Sequence, residues 1–248
     1  MKNFRKELKY FLTEAELLNV ENRIKGIMKV DEHQPGDYYL IRSVYFDGIG
    51  DPCMSENEAG VGSREKYRIR AYGASDERIS AEIKIRHRDT ISKQSVLMDR
   101  ETFDEVMAGG TTRLSANRRL MSTTPGDPND TSGGPLPAKS APADKWLMKI
   151  AGEHYRPKVI VEYKRSAYIY RPGNVRITVD RDVSASADFD KFFSESLHGI
   201  PILPKGTQIL EIKYDEFLPE EIAMLLGGLN LERCSCSKYY LCRTGKLR

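Results

Sequence analysis

The sequence has no apolar run long enough to cross a membrane as a helix. None of its stretches approaches the roughly 18 consecutive apolar residues that such a helix needs. Basic residues occur near the start of the chain, but the apolar core of a secretory signal does not follow them. We therefore predict a cytoplasmic protein without a membrane segment.

Cysteine is also scarce. The four copies are Cys53, Cys234, Cys236 and Cys242, and neither the Cys-x-Cys spacing nor the wider spacing to Cys242 is a usual zinc signature. The length of 248 residues is sufficient for a large hydrophobic core, which excludes a small fold held together by disulfides. We expect all four cysteines to be reduced thiols.

Neither sign of charge dominates the composition. The net charge is +3, from 39 basic and 36 acidic residues, so bulk charge does not indicate nucleic-acid binding. Charges that share one face of a strand can nevertheless create a strong local field. The placement of the basic residues is therefore more informative than their number.

Alternation of apolar and polar residues predicts about eight antiparallel strands. The predicted strands are Asn3–Leu12, Tyr39–Asp47, Arg64–Tyr72, Ile79–His87, Ile91–Met98, Lys158–Tyr170, Val175–Asp180 and Gln208–Tyr214. Their order along the chain, with helices between them, favours a single α+β domain over residues 1–248. We expect a closed antiparallel β-barrel that forms a tunnel, with the helices packed on its outside.

Three helices are predicted from their end signals. A capping box at Thr13 opens an amphipathic helix to about Val30, Asp99 caps a short helix to about Ala108, and Pro219 lies in the first turn of a helix to about Leu226. Ser194–His198 is expected to add one further turn. Thr111–Ala143 is rich in Pro, Gly and Ser, which predicts a mobile insertion, either a passive linker or a lid.

The polar faces of the predicted strands carry mainly charged residues. These sets are Arg5, Glu7 and Lys9; Lys66, Arg68 and Arg70; Glu82, Lys84 and Arg86; Arg176 and Asp180; Glu211 and Lys213. An exposed, solvated face is the usual interpretation of such a set. However, the opposite faces are apolar, and if they pack outward against helices, the charges must line the lumen. A lumen of this kind would bind a polyanion.

Carboxylates alternate with lysines on three of these faces, as Glu7-x-Lys9, Glu82-x-Lys84 and Glu211-x-Lys213. Carboxylate oxygens are suited to a hard divalent cation, while the neighbouring lysines can bind phosphate oxygens. The alternative is that each pair is only an ion pair within its strand. The pattern alone leaves both interpretations open.

An ordered series of short motifs resembles the VTC domain, the catalytic polyphosphate polymerase module of the triphosphate tunnel metalloenzymes. The motifs are Glu7-Leu-Lys-Tyr10, Ser43-Val-Tyr-Phe-Asp47, Lys66-Tyr-Arg-Ile-Arg-Ala-Tyr-Gly73, Glu82-Ile-Lys84, Ser92-Lys93, Glu162-Tyr-Lys-Arg-Ser-Ala-Tyr168, Arg176-Ile-Thr-Val-Asp180, Leu210-Glu-Ile-Lys213 and Ser237-Lys-Tyr239. The resemblance implies a β-barrel tunnel, a Mn2+ or Mg2+ ion, and transfer of the terminal phosphoryl group of ATP to a growing polyphosphate chain.

The resemblance also implies roles for individual residues. The implied phosphate-binding residues are Lys9, Arg68, Arg70, Lys84, Lys93, Arg165, Arg176 and Lys238, and the implied metal ligand is Glu211. Of these, we assign catalytic roles to Lys9, Arg68, Arg70, Lys84, Arg165, Arg176 and Glu211. Arg5, Lys66, Lys93, Lys213 and Lys238 are assigned to substrate binding, and Glu7, Glu82 and Glu162 are further metal candidates. Arg5 replaces the first carboxylate of the Glu-x-Glu-x-Lys motif of the hydrolytic and cyclase branches, which favours the VTC branch.

Two alternatives to a polymerase remain at this stage. One is a tunnel triphosphatase that hydrolyses inorganic triphosphate or nucleoside triphosphates, with Glu82 or Glu162 positioning water. The other is a non-catalytic barrel that binds polyphosphate or nucleic acid. Stacking aromatics are not expected between the cations of the lumen faces, which argues against nucleic acid. We therefore predict that the protein binds ATP and inorganic polyphosphate or triphosphate.

Overall fold

The computed structural model describes residues 5–121, 142–229 and 231–245, in which eleven strands and seven α-helices are present. The strands are β1 Arg5–Thr13, β2 Lys29–Val30, β3 Tyr39–Asp47, β4 Ser63–Tyr72, β5 Ser75–His87, β6 Thr90–Met98, β7 Arg156–Tyr170, β8 Val175–Ser186, β9 Ile200–Pro201, β10 Thr207–Tyr214 and β11 Glu232–Arg233. The helices are α1 Glu14–Ile24, α2 Pro52–Glu58, α3 Arg100–Met107, α4 Thr112–Met121, α5 Pro142–Leu147, α6 Glu220–Leu226 and α7 Lys238–Thr244.

Eight antiparallel strands form a hydrogen-bonded ring in the order β7, β3, β4, β5, β6, β1, β10, β8 and back to β7. These are the eight strands predicted from alternation, and the α+β class is confirmed. The ring is weakest between β1 and β6, which pair only through Arg5 with Ile91 and Lys6 with Thr90. The short strands β2, β9 and β11 pair with β7, β8 and β1 at the margins of the ring.

The hydrophobic core lies outside the ring, between the strands and the helices. Tyr67 and Ile69 of β4 pack in one cluster with Trp146 of α5, whose indole meets the Tyr67 ring edge-on at 5.4 Å. Ile177 of β8 packs in a second cluster with Val20 of α1. Each fully buried side chain of this kind stabilises the fold by about 1.5–3 kcal/mol. Because one face of each strand is committed to these clusters, the opposite face is directed into the ring.

The predicted helix starts are confirmed. Thr13 caps α1 in a capping box with Glu16, Asp99 accepts a hydrogen bond from the Thr102 amide at 2.8 Å at the start of α3, and Pro219 precedes α6. No helix in the described ranges is long and apolar enough to span a membrane.

One predicted helix extent is wrong. α1 ends at Ile24 and not near Val30, because Lys29 and Val30 pair with β7 as the short strand β2. The turn expected at residues 194–198 is present but is not helical, and in it the Ser194 hydroxyl accepts a hydrogen bond from the Ser196 amide at 3.1 Å. Serine side chains compete with helical backbone hydrogen bonds in this way.

The prediction of one mobile insertion over Thr111–Ala143 is also wrong at both of its ends. Residues 112–121 form α4, whose first amides, those of Thr112 and Arg113, each donate to the Glu105 carboxylate at 2.7 Å, and whose Leu114 is fully buried. At the other end Ala143 is buried in α5. These contacts provide burial that the composition of the segment does not reveal. Residues 122–141 lie outside the described residues.

Candidate functional site

The ring encloses a cavity of about 530 Å³. Each of its eight strands contributes to the lining, together with Asn57 of α2 and residues 233–238, which lead into α7. Because side chains alternate between the two faces of a strand, the side chains that the strands contribute lie mainly on the inner face of the ring. The charged faces predicted from the sequence therefore meet in one enclosed space.

The structure brings most of the predicted site residues into this lining. They are Arg5, Glu7, Lys9, Lys66, Arg68, Arg70, Lys84, Lys93, Arg165, Arg176, Glu211, Lys213 and Lys238. Glu82 is not in the lining but lies directly behind it, with 1% of its surface exposed. Its carboxylate accepts a hydrogen bond from Arg68 at 2.7 Å and pairs with Lys93 at 3.4 Å. The geometry thus agrees with the predicted locations, while the individual roles stay predictions.

The prediction that Glu162 belongs to the site is wrong about its location. Its carboxylate pairs with Arg42, which also donates to the backbone carbonyls of Phe192 and Ser194 at 2.8 and 2.7 Å. Along β7 it is Tyr163 and Arg165 that line the cavity. Glu162 has the opposite parity, so its side chain lies on the outer face of the strand.

Positive charge is in large excess in the cavity. Among the described residues of the lining, fifteen are lysine or arginine and two are glutamate. Several cations even lie directly opposite one another on neighbouring strands, as Lys66 does with Lys84 and Lys84 with Lys93. Like charges in these positions destabilise a sheet. A bound polyanion would relieve this repulsion.

Glu211 is the centre of a carboxylate network on one wall. It accepts a hydrogen bond from Lys238 at 2.8 Å and pairs with Lys9 and Arg165, both at 3.3 Å. Burial opposes its ionisation, but Lys238, Lys9 and Arg165 outweigh burial and hold the pKa of Glu211 well below its usual range. Arg165 also binds the fully buried Asp180 with two parallel hydrogen bonds of 2.5 and 2.7 Å. These contacts fix the positions of Arg165 and Lys238.

Glu7 forms the second carboxylate of the lining. Lys84 lies 3.1 Å from it, Lys9 3.3 Å and Lys213 3.7 Å. Burial opposes its ionisation, but Lys84 and Lys9 hold the pKa of Glu7 well below its usual range. Burial lowers the pKa of Lys213 to about 7, against the opposing effect of Glu211 and Glu7.

The donor set fits a divalent cation at the Glu7 and Glu211 carboxylates. Both lie within ion-pair distance of the same two ammonium groups, Lys9 and Lys213, so the two carboxylates converge. Mg2+ and Mn2+ are commonly held by one or two carboxylates together with substrate phosphates. In the described part of the chain, no group of three or more acidic, histidine or cysteine side chains could hold a metal. The strand-internal pairing of Glu7 with Lys9 and of Glu211 with Lys213, the alternative left open by the sequence, is also present.

Tyrosines on the cavity wall were missed by the sequence interpretation. The Tyr45 hydroxyl accepts a hydrogen bond from Arg68 at 3.1 Å, the Tyr39 hydroxyl accepts one from Arg176 at 2.8 Å, and Tyr163 accepts one from Arg70 at 3.4 Å. Aromatic residues are therefore present between the cations, although the sequence predicted none that stack. The three rings are buried. Their hydroxyls orient guanidinium groups, so they do not offer open faces for bases to stack on. The parity of Tyr39 and Tyr45 on β3 could have revealed them.

The start of α7 delivers two polar groups to the cavity. The Ser237 hydroxyl accepts a hydrogen bond from Lys66 at 2.6 Å, and Lys238 reaches Asp180 and Glu211. Between these groups and the core, the Tyr239 hydroxyl donates to the buried Asp47 carboxylate at 2.6 Å. A hydrogen bond thus connects the motif ending in Tyr239 to the motif ending in Asp47.

Comparison with known proteins agrees with this architecture. The family model described as "VTC domain" matches residues 4–244. No curated protein matches the chain. Among solved structures, a candidate adenylate cyclase of Vibrio parahaemolyticus is 12% identical with a TM-score of 0.51, over 97% of this chain and 98% of that one. A candidate adenylate cyclase of Bacillus halodurans is 12% identical with a TM-score of 0.49, over 96% of each chain. At such identity the likeness to the Vibrio protein concerns the fold alone.

Proposed function

Because the chain belongs to the VTC domain family, we propose that it is a polyphosphate polymerase, which transfers the terminal phosphoryl group of ATP to a growing inorganic polyphosphate chain. The observation that carries this proposal is the cavity inside the ring with its large excess of lysine and arginine. A triphosphate and a phosphate chain are both linear polyanions. This one cationic cavity can therefore hold ATP, the donor, and the phosphate chain, the acceptor, in line.

The arginines and lysines of the wall have distinct tasks in this proposal. Guanidinium groups bind phosphate oxygens with two parallel hydrogen bonds, whereas ammonium groups act as point charges. Arg68 and Arg165 are already oriented by Glu82 and Asp180. Little reorganisation is then needed when phosphate enters. Phosphoryl transfer depends mainly on such alignment and charge neutralisation.

Glu7 and Glu211 would hold the divalent cation, Mn2+ or Mg2+. When bound, such an ion neutralises phosphate oxygens and polarises the transferring group. The lysines that contact these carboxylates in the structure, Lys9 and Lys213, would then turn to phosphate oxygens. Lys9 and Lys213 would thus contact the carboxylates without substrate and phosphate oxygens with substrate.

The lowered pKa of Glu82 favours phosphoryl transfer to a phosphate acceptor over hydrolysis. Burial opposes the ionisation of Glu82, but Arg68, Arg70 and Lys93 hold its pKa well below the usual range. A carboxylate held in this way is a poor general base for water. An acceptor phosphate oxygen is already ionised at neutral pH and requires no base. Glu162, the other residue that could position water in a triphosphatase, lies on the outer face of β7 and is therefore away from the cavity.

The test is to incubate the purified protein with ATP and Mn2+, or with ATP and Mg2+, and to separate the products. We expect a long, acid-labile phosphate polymer in addition to ADP. Arg68→Ala should abolish polymer formation. Arg113→Ala, which removes an exposed arginine outside the lining, is the matched control and should retain it. Release of free phosphate alone would support the triphosphatase, and an absence of turnover would support the non-catalytic alternative.

A further inference from the structure

Two of the four cysteines lie on the cavity wall. Cys234 and Cys236 are in the segment between β11 and α7, and both line the cavity. A single residue, Ser235, separates them, and both side chains border the same cavity. Neither has a role in the phosphoryl transfer proposed above. Cys53 and Cys242 are not part of the lining.

The segment that contains Cys234 and Cys236 forms hydrogen bonds with the lysines proposed to bind phosphate. The Cys234 amide donates to the Lys9 carbonyl at 2.9 Å, and the Lys9 ammonium donates to the Cys236 carbonyl at 2.8 Å. The next two residues, Ser237 and Lys238, contact Lys66 and Glu211. The backbone around the two thiols therefore helps to fix Lys9, Lys66 and Lys238.

The chemical environment distinguishes this pair from the other cysteines. The neighbouring Cys236 thiol, aided by Lys9 and Lys238, lowers the pKa of Cys234 to about 7, although burial opposes this. Burial raises the pKa of Cys53 and of Cys242 to about 12. Thiolates are the reactive form of cysteine, and a second thiol next to the first allows a disulfide to form.

We propose that Cys234 and Cys236 are a modification site at which hydrogen peroxide converts the thiol pair into a disulfide, and that this disulfide weakens phosphate-chain binding in the cavity. The two cysteines are one residue apart and border the same cavity, which a small polar oxidant can enter. The disulfide would close a small ring through the Ser235 backbone. This ring constrains the carbonyl of Cys236 that now accepts from Lys9.

The reaction balances in two steps. The Cys234 sulfur attacks one peroxide oxygen, the O–O bond breaks, and the leaving hydroxide takes the thiol proton to give water and a sulfenic acid. The Cys236 sulfur then attacks the Cys234 sulfur, the S–O bond breaks, and the hydroxide leaves as water with the proton of Cys236. Overall the two thiols are oxidised by two electrons, and peroxide is reduced to two waters.

Intact mass spectrometry tests the modification directly. Reduced protein treated with hydrogen peroxide should lose two hydrogens, and dithiothreitol should restore them. Peptide mapping should place the bond between Cys234 and Cys236. Cys234→Ser and Cys236→Ser should not form it, whereas Cys242→Ser, the matched control on α7, should form it as the wild type does. This readout does not depend on turnover, so it can fail or succeed independently of the polymerase proposal.

Calorimetry with inorganic triphosphate tests the consequence. Peroxide treatment should weaken triphosphate binding roughly tenfold in the wild type and in Cys242→Ser, the effect of losing one charge-assisted contact. Cys234→Ser and Cys236→Ser should each bind equally before and after treatment. The proposal is overturned by the absence of a disulfide, by a disulfide that leaves the affinity unchanged, or by an equal loss of affinity in the two serine variants.

Discussion

Among single residues, Glu211 has the central position in the site. Its carboxylate lies within 3.7 Å of ammonium or guanidinium groups from β1, β7, β10 and α7. Removing its charge leaves these cations facing one another in a buried space. Breaking a buried pair in this way commonly costs about 3–5 kcal/mol. A phosphate chain carries the charge that would replace it.

Glu211→Gln and Arg68→Ala should therefore change triphosphate binding in opposite directions. Without metal, Glu211→Gln should bind triphosphate more tightly, because one repelling carboxylate is gone. Arg68→Ala should bind it more weakly, by about 1.5–3 kcal/mol for one charge-assisted contact. Calorimetry in the presence of a chelator measures both. With Mn2+, turnover of Glu211→Gln should fall by orders of magnitude, because the ion contributes several kcal/mol to the transition state. Full turnover in this variant would place the metal elsewhere.

Lys66 provides a pH-dependent prediction. Its ammonium donates to Asn57 at 2.7 Å and to Ser237 at 2.6 Å, both neutral oxygens. Burial, together with Lys84 and Lys9, lowers the pKa of Lys66 well below its usual range. Between that lowered pKa and the ordinary lysine value of about 10.4, the unfolded chain binds more protons than the folded one. The destabilising contribution of Lys66 is therefore complete below its folded pKa and disappears as the pH rises.

Lys66→Met should consequently be stabilising at neutral pH relative to the wild type, with a gain that shrinks as the pH approaches about 10. Urea unfolding in phosphate-free buffer at several pH values measures the difference in free energy of unfolding. Lys29→Met, which changes an exposed lysine, is the control and should show no such trend. A gain that grows with pH would contradict the assigned direction of the pKa shift.

Among the elements, α7 connects the core to the cavity. Its Tyr239 is buried, stacks on Tyr45 with ring centroids 5.1 Å apart, and donates to Asp47. The Asp47 carboxylate also accepts from the Cys53 and Met54 amides at the start of α2. One carboxylate thus holds two helices that border the cavity.

Tyr239→Phe should lower the free energy of unfolding by about 1–3 kcal/mol, because the buried Asp47 loses a hydrogen-bond donor. It should also weaken triphosphate binding, since Ser237 and Lys238 belong to the same turn. Chemical denaturation and calorimetry measure the two effects. Tyr240→Phe, which removes the neighbouring hydroxyl and its longer hydrogen bond of 3.4 Å to Glu58, is the matched control. An unchanged triphosphate affinity in Tyr239→Phe would show that Lys238 keeps its position without the hydrogen bond from Tyr239 to Asp47.

The long elements could be predicted from sequence, and the short ones could not. Eight strands extend over at least eight residues, so alternation identifies them. β2, β9 and β11 have two residues each and exist only because a neighbouring strand pairs with them. The same parity argument that correctly placed Arg68 and Arg70 also excludes Glu162, which shares a motif with Arg165 but not its face. The tyrosine hydroxyls were missed because aromatic residues on strands normally indicate core packing.

At the scale of the whole molecule, the ring reverses the usual placement of charge. Apolar faces pack outward under the helices, and the cations face inward. The net charge of +3 does not reveal this arrangement, because the acidic residues are concentrated elsewhere. Repulsion inside the ring then opposes folding, and its weakest join, between β1 and β6, borders the cavity at Arg5. A phosphate chain in the cavity would stabilise the closed ring.

Thermal unfolding with inorganic triphosphate measures whether this cavity binds phosphate chains. At a hundredfold excess over its dissociation constant, triphosphate should stabilise the wild type by about 3 kcal/mol, seen as a raised Tm at constant ionic strength. The double variant Arg68→Ala with Arg70→Ala should lose most of this shift, while Arg113→Ala should keep it. A Tm that does not respond to millimolar triphosphate, or an equal response in the double variant, would show that phosphate chains do not bind in the cavity.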